Sequence, residues 1–173
     1  MSLKIIHTAD WHLGQTFFGY DRDEEHEAFL SWLIDILTLR QTDVLLIAGD
    51  VFDVANPSAA AQRRFFRFLR EANRHNPQLQ IVIIAGNHDS AARLEAPIPL
   101  LEELNTSIVG VVPRTDLCKI DFDSLLIPLY NKEGKREAIC LAVPYLRQGD
   151  YPASKEGKDT YVAVSYTHLR AHE

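Results

Sequence analysis

The chain has 173 residues, a length that fits one domain able to bury a proper core. Apolar residues make up 46% and charged residues 24%, which is ordinary for a soluble globular protein. A net charge of −6 counts against a simple nucleic-acid-binding module, whose footprint is basic. It counts less against an enzyme acting on phosphodiesters, because bound divalent cations reverse the local sign of a carboxylate-rich site. The cysteines, Cys118 and Cys140, have neither metal-type spacing nor a disulfide framework. No stretch reads as a signal peptide or a membrane span, so a reduced, cytoplasmic setting with no membrane is the expectation.

Taken in order, Leu3 to Thr8 reads as a first strand, left by the loop Asp10-Trp11-His12-Leu13-Gly14. Asp23 to Leu39 reads as an amphipathic helix with Phe29, Trp32, Leu33, Ile36 and Leu37 on one face and an acidic start suited to the helix dipole. Val44 to Ala48 is the second strand. Asn56-Pro57-Ser58 then breaks the chain, Ser58 can cap the next helix, and Ala59 to Arg74 gives that second helix with Ala61, Phe65, Phe68, Leu69 and Ala72 inward. Gln80 to Ala85 is the third strand, and its unbroken apolar run suggests burial on both faces. This βαβαβ order predicts an α/β fold with a parallel sheet and right-handed crossovers.

Beyond Asp89 the pattern loosens. Pro97 and Pro99 suggest a short helix ending near Leu104, and Ser107 to Val112 another strand. Leu125 to Leu129 and Ala138 to Val143 flank the polar loop Asn131 to Lys135 and read as a hairpin. Tyr145 to Thr160 is polar, with Gly149, Pro152 and Gly157, and reads as a surface linker.

Three strands end in side chains that can hold a metal, the place where open α/β sheets put their active sites. In an extended segment residues i and i+2 point to the same side, so Asp10 and His12 can grip one ion together. Asp50, after Gly49, can reach an ion from a neighbouring strand end, and its two oxygens can bridge two cations as an imidazole cannot. Asn87 offers a neutral carbonyl oxygen to a second ion, while His88 beside it can meet a substrate. Two cations about 3.5–4 Å apart clamp a phosphoryl group and activate a water. Mixed oxygen and imidazole ligation suits Mn²⁺, Fe²⁺ or Zn²⁺ better than Ca²⁺.

Each piece also has a plainer reading. Gly49-Asp50 alone is a turn, Asp10 and His12 a cap and a surface histidine, and Asn87-His88-Asp89 a helix N-cap cluster. Three such pieces, each at a strand end and in this order, favour the metal site. His7 reads as a satisfied interior histidine, and neither His26 on the first helix nor His75 after the second is assigned to the site. The stripe Arg63, Arg67, Arg70 and Arg74 reads as a solvated face opposite Phe65, and Trp11 and Phe52 as packing for the site.

At these residues a resemblance emerges. Asp10-x-His12, Gly49-Asp50-x-x-Asp53 and Gly86-Asn87-His88-Asp89 resemble the signature of the calcineurin-like metallophosphoesterases. The wording H-T-A-D-W-H-L-G-Q, A-G-D-V-F-D and A-G-N-H-D-S is similar to the DNA nuclease branch of that superfamily, with a likeness that extends through Cys140 to Arg147 and covers roughly residues 1 to 163.

The resemblance implies a metallophosphoesterase sandwich, with a βαβαβ start and mixed sheets flanked by helices. It implies that Asp10 and His12 hold one manganese, Asp50 bridges and Asn87 holds the other, with Asp53 and Asp89 as site supports. His88 would contact the scissile phosphate or protonate the leaving oxygen. The implied activity is ATP-dependent 3′-to-5′ exonuclease action on duplex DNA ends, with endonuclease action on single strands and hairpins, in DNA end processing, recombination and repair. A long coiled-coil ATPase would be the partner. The family also implies a homodimer through helices near the site, for which the second helix and the region around Arg93 are the candidates.

The chain departs from the family at its end. Family members carry three more histidine ligands, one alone and then a pair in G-H-x-H, whereas the later histidines here, His168 and His172, are spaced H-x-x-x-H without the glycine. From about Val164 the wording leaves the family. Residues 1–163 are therefore expected to be the N-terminal part of a nuclease domain with about half of its site, impaired for that reason, and residues 164–173 a foreign tail. Two other readings stay open: a metallophosphoesterase for small substrates, such as a nucleotide phosphodiesterase or phosphatase, and a non-catalytic docking domain. The Trp11-His12-Leu13-Gly14-Gln15 wording favours the nuclease, and retention of four metal-capable residues argues against mere docking.

Overall fold

A computed structural model describes residues 2–101, 104–115 and 120–147. The elements are β1 (Ile5–Thr8), β2 (Thr16–Phe17), β3 (Tyr20–Asp21), α1 (Asp23–Leu39), β4 (Val44–Ala48), α2 (Ala59–His75), β5 (Gln80–Ile84), α3 (Ala91–Glu95), α4 (Ile98–Leu101), β6 (Thr106–Val109), β7 (Leu126–Tyr130) and β8 (Arg136–Leu141). Strands β1, β4, β5 and β6 form one parallel sheet in the order β1-β4-β5-β6, while antiparallel pairing is confined to the β2–β3 and β7–β8 hairpins. No helix among the described residues is long and apolar enough to cross a membrane.

The alternation of each strand explains the two cores. One face of β4 and β5 sends Leu45, Ile47, Ile81 and Ile83 against α1 and α2, where Leu30, Leu33, Leu37, Phe65, Phe68 and Leu69 meet them. The other face sends Val44 and Val82 against Leu125, Ile127 and Leu129 at the β7–β8 hairpin. The Gln80 side chain ties the hairpin to the sheet, its Nε2 donating to Pro128 O at 2.9 Å and its Oε1 accepting from the Tyr130 amide at 3.3 Å. Ser58 caps α2 by accepting from the Ala61 amide at 3.1 Å, as its position predicts.

Several expectations change in detail. On α1 the inward residues are His26, Leu30, Leu33 and Leu37, while Trp32 is 55% exposed. The apolar stripe of this helix is wider than the surface α2 and the sheet offer it, and the buried row runs at i, i+4, i+7 and i+11 with a histidine in it. Ion pairs from Arg64 to Asp23 (2.8 Å) and Glu27 (3.3 Å) join the two helices. His7 is exposed, not interior. It pairs with Leu46 in register on the face the hairpin covers, but β1 is the sheet edge, beyond that cover. The β2–β3 hairpin and α3 were not expected, and β1, β5 and β6 are shorter than predicted. The hairpin strands β7 and β8 each lie one or two residues from their predicted bounds, around the expected polar loop. Tyr145 is not the start of a free linker, because its amide donates to Ala85 O at 2.8 Å. The rest of the predicted linker, the tail at 164–173 with His168 and His172, and Cys118 lie outside the described residues.

Candidate metal centre

The backbone continues to pair beyond the strand ends, and this brings the predicted residues together. Asp10 N donates to Gly49 O (3.1 Å), His12 N to Asp50 O (3.0 Å), Leu13 N to Val51 O (3.0 Å) and Asp53 N back to Leu13 O (3.3 Å). The loops after β1 and β4 thus run side by side. Donor atoms of Asp10, His12 and Asp50 fall within 4.8 Å of one another, as do those of His12, Asp53 and His88. Ligands around one ion at about 2.1 Å stand at most about 4.2 Å apart, so the first trio is close to the spacing one cation requires. Asn87 is exposed and adjoins His88, which the structure joins to the cluster.

The local conformation is costly. Asp10, His12 and Asp50 have φ of 56°, 47° and 49°, in the left-handed region that residues other than glycine rarely adopt. Three such residues at three ligand positions mark a site whose geometry is imposed by its surroundings. Gly86 allows the closest approach, since a Cβ there would lie 2.1 Å from Asp50 Oδ1 and 2.3 Å from the Asp50 amide. The His88 amide donates to the same Asp50 oxygen at 2.9 Å.

The two predicted supports differ in kind. Asp89 is 1% exposed and accepts from the amides of Val51 (3.2 Å), Phe52 (3.0 Å) and Gly86 (2.9 Å), stapling the loop after β4 to the loop after β5. Asp53 Oδ1 stands 3.2 Å from His12 Nδ1, while His12 Nε2 faces Asp10 Oδ1 at 4.0 Å. The His12 Nδ1 is buried, and its approach to Asp53 is off the hydrogen-bond direction. A carboxylate on Nδ1 leaves Nε2 free as the ligand atom, the usual arrangement of metal-bound imidazoles.

His88 is exposed, and its Nδ1 lies 2.7 Å from Asp53 O. A carbonyl only accepts, so Nδ1 carries the proton and Nε2 is open to a ligand or a leaving oxygen. That hydrogen bond, aided by the charges of Asp50, Asp53 and Asp89, holds the His88 imidazole above its ordinary pKa. Its ring meets that of His12 edge to face, with centroids 4.9 Å apart.

Trp11 and Phe52 pack beneath the site, at 5% and 4% exposure, with Trp11 edge-on to Phe29, Phe65 and Phe68. The arginine stripe on α2 is a solvated face, where Arg67 pairs with Glu27 and Arg70 and Arg74 with Glu71. Gln15, Arg22 and Arg147 were missed. Gln15 Nε2 donates to Asp53 Oδ1 at 3.3 Å, Arg22 Nη1 donates to Gln15 Oε1 at 2.8 Å, and Arg147 Nη2 donates to Asp89 O at 2.9 Å. Their partners are far away in sequence, and only the Gln15 in the W-H-L-G-Q run offered a signal. A cleft of about 480 Å³ beside the centre is lined by Asp10, His12, Gln15, Arg22 and the buried His26. Burial, with Arg22 and Arg64 nearby, holds His26 below the ordinary imidazole pKa.

The calcineurin-like phosphoesterase family model matches residues 3–159. The chain is 48% identical over 157 residues to the SbcD subunit of nuclease SbcCD from Rhodobacter capsulatus, covering 91% of the chain and 38% of that protein. It is 35% identical over 158 residues to the protein of the same name from Escherichia coli K12, covering 90% and 36% respectively. The Bacillus subtilis protein of that name is 39% identical over 122 residues, which is 70% of the chain and 31% of the relative. The chain thus spans little more than a third of the curated relatives it matches.

Proposed function

The chain belongs to the calcineurin-like phosphoesterase family, and on that premise we propose that it carries the metal-binding half of a DNA phosphodiesterase site of the SbcD kind. The family implies divalent metal ions, and the described residues offer two groups of candidate ligands. In this reading Asp10 and His12 hold one ion, Asp50 bridges and Asn87 serves the second, with Mn²⁺ the favoured metal. The donor set fits, being a mixture of carboxylate oxygen and imidazole. When bound, the pair of cations polarises the phosphodiester and supplies an activated water. Asp53 orients His12 through Nδ1, Asp89 holds the two loops in register, and His88 offers Nε2 to the phosphate or to the departing oxygen.

The observation that carries this reading is the convergence of Asp10, His12 and Asp50 within 4.8 Å. The relatives' name supports the rest: DNA as substrate in end processing, recombination and repair, an SbcC-like coiled-coil ATPase as partner, a homodimer, and a cytoplasmic setting. Exonuclease action 3′-to-5′ on duplex ends and endonuclease action on single strands belong to the same proposal.

Because the chain spans little more than a third of its relatives, metal binding is a more direct readout than turnover. A calorimetric Mn²⁺ titration of the chain beside Asp50→Ala should show binding that weakens at least about tenfold in the variant. Equal titrations would overturn the assignment. Where cleavage is measurable, preference for duplex DNA over a small aryl phosphodiester supports the nuclease, and the reverse preference points to a small-substrate enzyme.

A further inference from the structure

The tip of the β2–β3 hairpin is made of side chains that an exposed turn does not call for. Its central residues, Phe18 and Gly19, have φ of 50° and 83°. Positive φ at both positions is the pattern of a type I′ turn, where Asn or Asp followed by Gly is favoured and a bulky L residue is strained. Gly19 follows the rule and Phe18 breaks it. Nor does burial offset the strain, since Phe18 is 87% exposed, Phe17 65% and Tyr20 79%. The rings of Phe17 and Phe18 meet edge to face with centroids 4.6 Å apart. Strain without a packing benefit is characteristic of functional positions.

The tip is also fixed relative to the candidate metal centre. At its base the Arg22 amide donates to Gln15 O at 3.3 Å and Arg22 Nη1 to Gln15 Oε1 at 2.8 Å. Gln15 Nε2 then reaches Asp53 Oδ1 at 3.3 Å, and Asp53 stands 3.2 Å from His12 Nδ1. A nucleic-acid strand with a phosphate at Asp10, His12 and Asp50 has its neighbouring bases within reach of such a tip. Asp21, Asp23, Glu24 and Glu25 come after the tip in sequence, so this region offers little attraction to phosphate. Its aromatic side chains instead present uncharged π-face, which stacks on any base.

We propose that the Phe17-Phe18-Gly19-Tyr20 tip is a stacking platform for unpaired nucleobases beside the phosphodiester held at the metal centre. The inference rests on the reading of that centre as a DNA phosphodiesterase site. It explains why aromatic residues are kept where a turn former would cost less.

The test is fluorescence anisotropy of a dye-labelled, cleavage-resistant phosphorothioate oligonucleotide, in base-bearing and abasic forms, with the chain and its Phe18→Leu and Phe18→Trp variants. Leucine keeps apolar bulk and loses the π-face. Phe18→Leu should bind the base-bearing strand about tenfold more weakly, Phe18→Trp should match or exceed the parent, and the abasic strand should bind all three alike. Unchanged binding by Phe18→Leu overturns the platform and leaves the tip as an apolar contact for a protein surface. An equal loss on both strands, or no base-dependent binding by the parent chain, also overturns it. Mn²⁺ calorimetry on the same samples separates the two levels. Intact metal binding with no base preference removes the platform alone, whereas absent metal binding removes the reading beneath it.

Discussion

Asp50 lies across Gly86 so closely that a methyl group at 86 would stand 2.1 Å from its Oδ1. Neither side can give way, because the Asp50 amide is 2.3 Å from the same point and Oδ1 already accepts from the His88 amide. Gly86→Ala should therefore push the Asp50 carboxylate out of the cluster. The expected result is Mn²⁺ affinity reduced at least about tenfold, read by calorimetry, with some loss of stability. Retained affinity would mean the loop rearranges freely, against its hydrogen bonding.

Asp89 is a structural carboxylate whose removal strands three amides. Asp89→Ala leaves the N–H groups of Val51, Phe52 and Gly86 without their acceptor in a buried place. Each unsatisfied buried group costs about 1–3 kcal/mol, so urea unfolding should show a loss of about 3 kcal/mol or more. A loss below about 1 kcal/mol would indicate that water enters to replace it.

Asp53 is expected to act on the metal through His12. Asp53→Ala frees the imidazole to turn and should weaken Mn²⁺ binding about 10- to 100-fold. Gln15→Ala, one hydrogen bond further out, should have a smaller effect in the same direction. If the two variants have equal effects, Asp53 is not the group that orients the ring.

His26 should make stability pH-dependent. Its folded pKa lies below the ordinary imidazole value of 6.5 because burial penalises the charged form. Above 6.5 the imidazole is neutral in both states and contributes no slope. As pH falls below that value the unfolded chain takes up a proton that the folded chain resists, so stability declines. Asp23, Glu25, Arg22 and Arg64 are the charges acting on this group. Thermal unfolding between about pH 7.5 and about 5 should show a fall in the parent that His26→Gln lacks; parallel curves would locate the proton uptake elsewhere.

The long-period elements and the ligand positions were legible because each rests on a local pattern. The apolar runs before Asp50 and Asn87 can only be buried strands, and metal-capable residues after them can only stand at one sheet edge. The β2–β3 hairpin was not legible, since its two-residue strands carry too little alternation to register. The rotation of α1 was hidden because His26 looks polar in sequence, yet it occupies the buried row beside Leu30 and Leu33. Asp89 and Asn87 look equally like ligands in Gly86-Asn87-His88-Asp89. The difference between them is tertiary: one is 1% exposed with three amide partners while the other is open to solvent. Partners distant in sequence, such as Arg147 with Asp89, leave no local trace.

Strand β8 pairs only with β7 among the described residues, and along it Ile139 and Leu141 are 56% and 59% exposed. A strand with an open edge and apolar side chains beside it is a template for another strand. The practical consequence concerns handling: samples of this chain should gain turbidity with concentration and with salt that screens the net charge. A lysine in place of Ile139 should raise solubility while leaving Mn²⁺ binding intact, because colloidal behaviour and chemistry reside on different parts of the surface.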